Sequence, residues 1–535
     1  MPANLALAAA LAVWATLRLR TYLHIYQQEE YDSKRFLLWW VQSLAVDRWA
    51  SLGLLVLLPF GWLQPQAPAL AAFFWLLWRA RREPNPTVTA KKPLVLTARA
   101  TQIWYLSALV LLLPALPWLA RPLTPATLAG LLVILQLPPV ALVAANALLW
   151  PFRTLQNRVY TRQAKAVLAR LNPSTVAITG SFGKTGTKYL LGHILASHAP
   201  TLATPGSVNT PLGITRVVRE QLLPSHAYFI AEMGAYAVGS IARLCRLAPP
   251  RLACITAIGP AHYQRFKSLE AVVAAKFEIA AAAHANGGPC ILAVDAMPPN
   301  LWQPRVAANP QGYLLVTADP SYIRSESDIL ISNVDETPEG LRLTLTQGAQ
   351  TTAIATRVHG AVQATNIACA FAMARHLGMA APAIAAALAS ATGAPHRLQV
   401  QHTGGQTVID DSYNANPAGF VAALAVLSRL AAAALPPRRR ILVTPGMAEL
   451  GRLHAQEHAR LGALAAQNAD IILALTPKRI PTFLAAARAA VPLPQVVPLP
   501  TLAAARAWIQ ANALPNDVIL IENDLPDRYE SRWAL

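Results

Sequence analysis

Cysteine is scarce in this chain. Four residues, Cys245, Cys254, Cys290 and Cys369, are spread over 535 positions, with no Cys-x-x-Cys pair and no neighbouring histidine pair. That excludes a disulfide framework and a structural zinc site, and it fits small buried apolar residues in a reducing compartment. Charge is scarce too, 13% of residues against 54% hydrophobic, a balance too apolar for an average soluble protein. Within that small set acids are the minority, 26 against 45 lysines and arginines, for a formal charge of +19. No basic run is interleaved with aromatics, so a nucleic-acid partner is not expected. Cytoplasmic loops of a membrane protein and a site for anionic substrates account for the excess. A basic region ahead of the first apolar stretch is also missing, since Arg18 and Arg20 follow it, so a cleaved signal peptide is not expected.

The apolar mass lies in residues 1–152, read as a transmembrane helical region. Candidate spans are Ala3–Leu17, Trp49–Leu63, Ala67–Trp78, Ile103–Leu119 and Ala126–Trp150. Crossing a bilayer takes roughly 20 apolar residues at ~1.5 Å of rise each. Only the last is comfortably long, and the second and third are short enough for a re-entrant hairpin, so four or five spans are expected. Arg18, Arg20, Lys34 and Arg35 follow the first span, five basic residues between Arg79 and Lys92 follow the third, and Arg153, Arg158, Arg162 and Lys165 follow the fifth. The alternate loops carry only Arg121. By the positive-inside rule the remaining chain is cytoplasmic, held at the inner or plasma membrane by a multi-pass anchor.

From Arg153 onward short β-like runs alternate with alanine-rich helical stretches, the rhythm of a parallel sheet with helical crossovers. Residues 153–394 form one expected α/β domain. The pattern shifts near Pro395, and Thr407–Ile409, Ile441–Val443, Ile471–Ala474 and Val518–Ile521 are expected strands of a second, Rossmann-like domain over 395–535.

Residues 178–188 read Ile-Thr-Gly-Ser-Phe-Gly-Lys-Thr-Gly-Thr-Lys, between an apolar run and a helix-forming run. Strand, glycine loop, helix is the architecture in which backbone N–H groups cradle a polyphosphate. A lysine (Lys184) then reaches the outer phosphates and a hydroxyl (Thr185) holds Mg2+. Two residues rather than four separate Gly180 from Gly183, so the general phosphate-loop spacing is not met. Downstream, Tyr228–Glu232 is an apolar run ending in a carboxylate, where a metal ligand beside such a loop belongs. His262 follows another strand and is a second candidate ligand. Lys276 sits in an alanine-rich helix with few charges; besides a snorkelling surface lysine it can be read as a lysine carbamylated by CO2, a reaction that needs the neutral amine. In the last domain Pro395-His396-Arg397 precedes Asp410-Asp411-Ser412-Tyr413-Asn414-Ala415-Asn416-Pro417. Turn chemistry explains the asparagines and proline, but not two adjacent aspartates after a buried strand.

Eight strings occur in order: GSFGKTGTK, SVNTPLGI (207–214), AEMGA (231–235), AHYQRF (261–266), AAKFEI (274–279), PHRLQV (395–400), DDSYNANP (410–417) and PGMAELG (445–451). In this the chain resembles the Mur ligase family, most closely its D-alanyl-D-alanine-adding branch, over roughly residues 170–460; the shortened glycine loop is a mark of that group. The resemblance implies an ATP-dependent, ADP-forming carboxylate–amine ligase working through an acyl phosphate with two Mg2+ ions. It implies that Gly180, Ser181, Gly183, Lys184, Thr185 and Gly186 bind ATP, joined by Asn366, Arg397, Asp411, Tyr413 and Asn414. It implies that Thr185, Glu232, His262 and carbamylated Lys276 serve the metal, that Lys184, Lys276 and His262 are catalytic, and that Asn209 and Thr210 face the acyl substrate.

Three features depart from the family pattern. The membrane segment stands where the family has a UDP-recognising domain. Gly360-Ala361-Val362-Gln363 replaces a His-Asn pair, and Ile521-Glu522-Asn523-Asp524 replaces a lysine-glycine-serine. The acyl precursor is therefore expected to be UDP-linked or lipid-linked, and the amine an amino acid or dipeptide. Alternatives are a Mur-like amide ligase making poly-γ-glutamate and, from another class, an ATP-driven transporter or a non-catalytic membrane scaffold.

Overall fold

The computed structural model describes residues 2–43, 45–57, 66–88, 90, 93–119, 124–259, 268–413, 415–448 and 450–524. Two compact units are present, one built on Met1–Gln156 and one on Asn157–Leu525.

The first unit is helical. Pro2–Gln28, Gln66–Arg82, Ala98–Leu112 and Pro138–Leu148 pack around Leu7, Trp14, Leu19, Tyr26, Ile103 and Leu142. Its interior also holds ion pairs. Arg18 Nη1 lies 3.1 Å from Glu83 Oε1 with both side chains about 1% exposed, and Arg79 Nη2 lies 3.0 Å from Asp47 Oδ1. A buried charge without a partner is too costly to retain, so these pairs fix which helix faces meet. Arg18 thus lies inside a 27-residue helix rather than in a loop after a first span, which corrects the sequence expectation.

Among the described residues one helical stretch, Ala98–Ala115, is long and apolar enough to cross a membrane. The expected span Ala126–Trp150 is not one helix. It breaks into Ala126–Gln136 and Pro138–Leu148, bent by 61°. Pro138 and Pro139 supply no backbone N–H, and a proline disfavours helical geometry in the residue before it, so Leu137 is where the rod must turn. Counting apolar residues alone hid that break. Part of the second expected span, residues 58–63, and the loop around Arg121 lie outside the described residues.

The second unit holds two sheets. The larger contains β1 (Ser174–Thr179), β2 (Thr201–Ala203), β3 (Tyr228–Glu232), β4 (Leu252–Ile255), β5 (Cys290–Ala293), β6 (Tyr313–Thr317), β7 (Ile329–Thr337), β8 (Gly340–Gln347) and β9 (Gln350–Thr356). Its order is β2-β3-β1-β4-β5-β6-β7-β8-β9, parallel as far as β7. The last three strands form an antiparallel meander, which the parallel reading of the sequence did not contain. β1 is an apolar run, and Thr175–Thr179 are buried because helices cover both faces of a parallel sheet.

The smaller sheet contains β10 (Gln399–Thr403), β11 (Gln406–Asp411), β12 (Arg440–Thr444), β13 (Ile471–Leu475), β14 (Gln495–Leu499) and β15 (Val518–Glu522), in the order β10-β11-β15-β12-β13-β14. Only β10 is antiparallel. In the larger sheet the chain leaves β1 for β2 and then β3 on one side and crosses to β4 on the other. That reversal opens a crevice at the carboxyl ends of β1 and β3, the place where α/β sheets bind ligands.

Candidate active site

The glycine loop follows β1 and runs into the helix Lys184–Ala196, so its first N–H groups face the crevice without a side-chain cap. Two glycines are dictated by space. A Cβ on Gly180 would fall 2.1 Å from Thr256 Oγ1, and one on Gly183, whose φ is +85°, would fall 2.5 Å from Asn366 Oδ1. Ser181 Oγ donates to Gly259 O at 3.0 Å and accepts from Gly259 N at 3.0 Å, tying the loop to the chain beyond β4.

Lys184 Nζ folds back onto the loop, donating to Gly180 O at 2.6 Å and to Ser181 O at 3.3 Å. Burial lowers its pKa to about 8; Glu232 opposes that shift and Arg397 adds to it. A half-buried lysine held by loop carbonyls is poised to exchange them for phosphate oxygens, which gain far more from its charge.

Glu232 ends β3 and collects four residues. Its Oε2 accepts from Thr185 Oγ1 at 3.0 Å and from Lys188 Nζ at 3.0 Å, while its Oε1 accepts from Asn209 Nδ2 at 3.3 Å. Its backbone N–H donates to Thr204 Oγ1 at 3.1 Å. Lys188 is fully buried and also donates to Gly206 O, so one ammonium joins the phosphate helix, β3 and the 205–210 segment. Sequence reasoning passed over Lys188, Thr204 and Thr256. For Lys188 a signal was present: it lies four residues after Lys184, on the same helix face, and an inward lysine there requires an acid.

The donor set suits Mg2+. A threonine hydroxyl and one carboxylate leave most positions for water and phosphate oxygens, which is how Mg2+ is usually held. Among the described residues no group of three or more His, Cys, Asp or Glu is gathered for a metal. His262 lies outside the described residues, as does Asn414. Lys276 is buried in the helix Leu269–Ala285, and burial together with the charge of Lys184 pushes it well below the lysine range. That is the condition under which an amine reacts with CO2.

Asn366 sits beneath the loop, accepting from Thr187 Oγ1 at 3.1 Å and donating to Gln363 Oε1 at 2.7 Å; a Cβ on Gly186 would lie 3.1 Å from its amide. Asn209 is at Glu232, whereas Thr210 is exposed and its hydroxyl caps the helix Pro211–Gln221 by accepting from Gly213 N.

Residues from the second sheet reach the same place. Arg397 Nη2 is 3.5 Å from Thr185 Oγ1 and its guanidinium lies 4.5 Å from the Tyr413 ring centroid. The Tyr413 hydroxyl bonds Ser207. The two aspartates divide the work. Asp410 organises the turn, accepting from Ser412 N and Oγ and pairing with His396 Nδ1 at 2.7 Å. Asp411 accepts from Leu398 N at 3.1 Å, and burial raises its pKa to about 6. Beside it on β15 stands Glu522, fully buried and held well above the carboxylate range by burial and by Asp411.

Comparison with known proteins agrees with this arrangement. Residues 178–374 match the Mur ligase middle domain and residues 396–522 match the Mur ligase glutamate ligase domain. The UDP-N-acetylmuramoyl-tripeptide–D-alanyl-D-alanine ligase of Mycobacterium tuberculosis H37Rv is 36% identical over 315 residues, covering 56% of this chain and 58% of that protein. The enzyme of the same name from Escherichia coli K12 is 31% identical over 291 residues, covering 54% and 61%. A crystal structure of MurF from Acinetobacter baumannii superposes with a TM-score of 0.58 at 26% identity, covering 69% of this chain and 77% of that one. The chain spans about three-fifths of the length of the curated relatives it matches.

Proposed function

We propose, from the premise that this chain carries the middle and C-terminal domains of the Mur ligase family, that it is an ATP-dependent, ADP-forming carboxylate–amine ligase. The proposed reaction adds D-alanyl-D-alanine, or a closely related amino compound, to a peptidoglycan precursor. One observation carries the reading: Thr185 Oγ1 and Glu232 Oε2 lie 3.0 Å apart at the crevice of the larger sheet, directly after the lysine of a phosphate loop.

The chemistry follows from charge. A carboxylate oxygen attacks the γ-phosphorus of ATP, ADP leaves, and the resulting acyl phosphate is attacked by a neutral amine, which expels phosphate. Anion must approach anion in the first step, so the site has to neutralise and align before it can accelerate. Lys184 exchanges its loop carbonyls for the outer phosphates, and the loop N–H groups orient them. Thr185 and Glu232 would hold Mg2+, which supplies charge neutralisation at the transferring phosphoryl group. Carbamylated Lys276 and His262 are the remaining proposed ligands. Arg397 and Tyr413 bring the C-terminal domain over the loop, which excludes water that would hydrolyse the acyl phosphate.

The helical unit is proposed as a membrane anchor with the ligase domains on the cytoplasmic side. The apolar helix Ala98–Ala115 and large exposed apolar side chains such as Leu5, Phe74, Tyr105 and Trp150 support it. The test is phosphate release by the purified chain with UDP-linked, lipid-linked and free acyl acceptors, each paired with D-Ala-D-Ala or L-Glu. Activity with D-Ala-D-Ala supports the proposal; activity confined to glutamate overturns it in favour of a poly-γ-glutamate-type ligase.

A further inference from the structure

We propose that Arg99 and Arg153, in the helical unit, form a binding site for a phosphate group, supplied by the headgroup of a membrane lipid or lipid-carried substrate. The arginines lie in the residues that neither family domain covers. Arg99 is in the first turn of the helix Ala98–Leu112 and Arg153 in the first turn of the helix Trp150–Leu171. Arg153 Nη2 donates to Arg99 O at 3.2 Å and to Gln102 Oε1 at 3.3 Å, which brings the two helix starts together. Arg99 Nη2 donates to Asn146 Oδ1 at 3.2 Å, and its guanidinium lies 4.0 Å from the Tyr31 ring centroid.

Every one of these partners is neutral. Arg18 and Arg79 of the same unit meet acids, Glu83 and Asp47. Arg99 and Arg153 form no ion pair among the described residues, and the Nε of each is buried without a hydrogen-bond partner. Two half-buried cations side by side repel, and each leaves donors unused. A phosphate corrects both deficits at once, because its several oxygens accept from two guanidinium forks while its charge neutralises them.

The surroundings favour a lipid as the source. Val95, Leu96, Leu148, Trp150, Phe152 and Leu155 flank the two arginines and are exposed. Cationic groups within an apolar, aromatic rim are the composition of a membrane–water boundary. The pair also stands at the start of Ala98–Ala115, a helical stretch with the length and apolarity to cross a bilayer, where a headgroup would lie. The lipid source rests on the membrane placement proposed above; the phosphate chemistry does not, and neither depends on ligase activity.

The test is the melting temperature of the full chain in neutral detergent, titrated with dioleoyl phosphatidic acid, with an uncharged diacylglycerol, and with soluble pyrophosphate. Phosphatidic acid should raise it saturably and diacylglycerol should not. In the Arg99→Gln/Arg153→Gln variant half-saturation should move at least about tenfold upward, since charge-assisted hydrogen bonds are lost at both positions. An Arg99→Lys/Arg153→Lys variant, which keeps charge but loses the forks, should fall between, and it carries the test if the glutamine variant does not fold. Equal response of wild type and substituted chains overturns the site. A response to pyrophosphate at the same concentration as phosphatidic acid overturns the lipid source.

Discussion

Replacing Glu522 by glutamine should stabilise the C-terminal domain at neutral pH. Glu522 ends β15, fully buried, with Asp411 as its register partner on β11. Burial first, and then the Asp411 carboxyl, hold Glu522 well above the carboxylate range, so the folded state favours its protonated form. In the unfolded chain it ionises near 4.5, so above that pH folding must take up a proton until the folded group itself ionises. Each pH unit between the unfolded and folded values costs about 1.4 kcal/mol of folding free energy. The sign is fixed by linkage. A group whose folded pKa is raised gives its full stabilisation below its unfolded pKa and loses it as pH rises through the folded value. Glutamine has nearly the same shape, can donate an N–H to Asp411, and needs no proton. The variant should therefore match wild type near pH 4 and exceed it by about 1.4 kcal/mol for each pH unit above 4.5 until the folded carboxyl ionises, roughly 5 °C per unit for a domain of this size. Calorimetric scans of both proteins between pH 4 and pH 8 make the comparison. Parallel pH dependences, or a less stable variant at pH 7, would refute the reasoning.

Two further substitutions probe the phosphate loop. Lys188→Met leaves Glu232 buried without its ammonium and should cost about 3–5 kcal/mol in metal-free buffer. Millimolar Mg2+ should then restore part of that loss while scarcely moving the wild type; an equal Mg2+ response in both would show that Lys188 does not serve as the internal counter-ion of Glu232. Gly183→Ala places a Cβ 2.5 Å from Asn366 Oδ1 on a backbone at φ +85°. It should lose at least about 1–2 kcal/mol in denaturant unfolding together with ATP binding; unaltered nucleotide affinity would separate the loop from the nucleotide.

The phosphate loop was legible because it is local. Strand, glycine turn and helix start are contiguous, and Gly183 needs its left-handed backbone whatever surrounds it. Glu232 was legible only with the glycine loop beside it, since a carboxylate closing a strand is otherwise an ordinary solvated acid. The parallel strands of the C-terminal sheet appeared as apolar runs for the same reason that they are buried. What escaped is what depends on distant partners. Lys188 looks like any helix lysine until β3 is placed beside it, and Arg18 looks like a loop residue until Glu83 reaches it from 65 positions away. The β7–β8–β9 meander alternates with mixed polarity, so it did not stand out from the helical crossovers before it. The break at Leu137 is local and is written in Pro138 and Pro139, which interrupt the helix whatever the apolar length around them.

The central claim is that this loop transfers a phosphoryl group to a carboxylate, which an amine then displaces. The most direct measurement follows oxygen. With 18O in the carboxylate of the acyl substrate, each amide bond formed should release one phosphate carrying one labelled oxygen, together with ADP, and Lys184→Ala should release neither. Unlabelled phosphate accompanying amide formation, or AMP in place of ADP, would contradict the account.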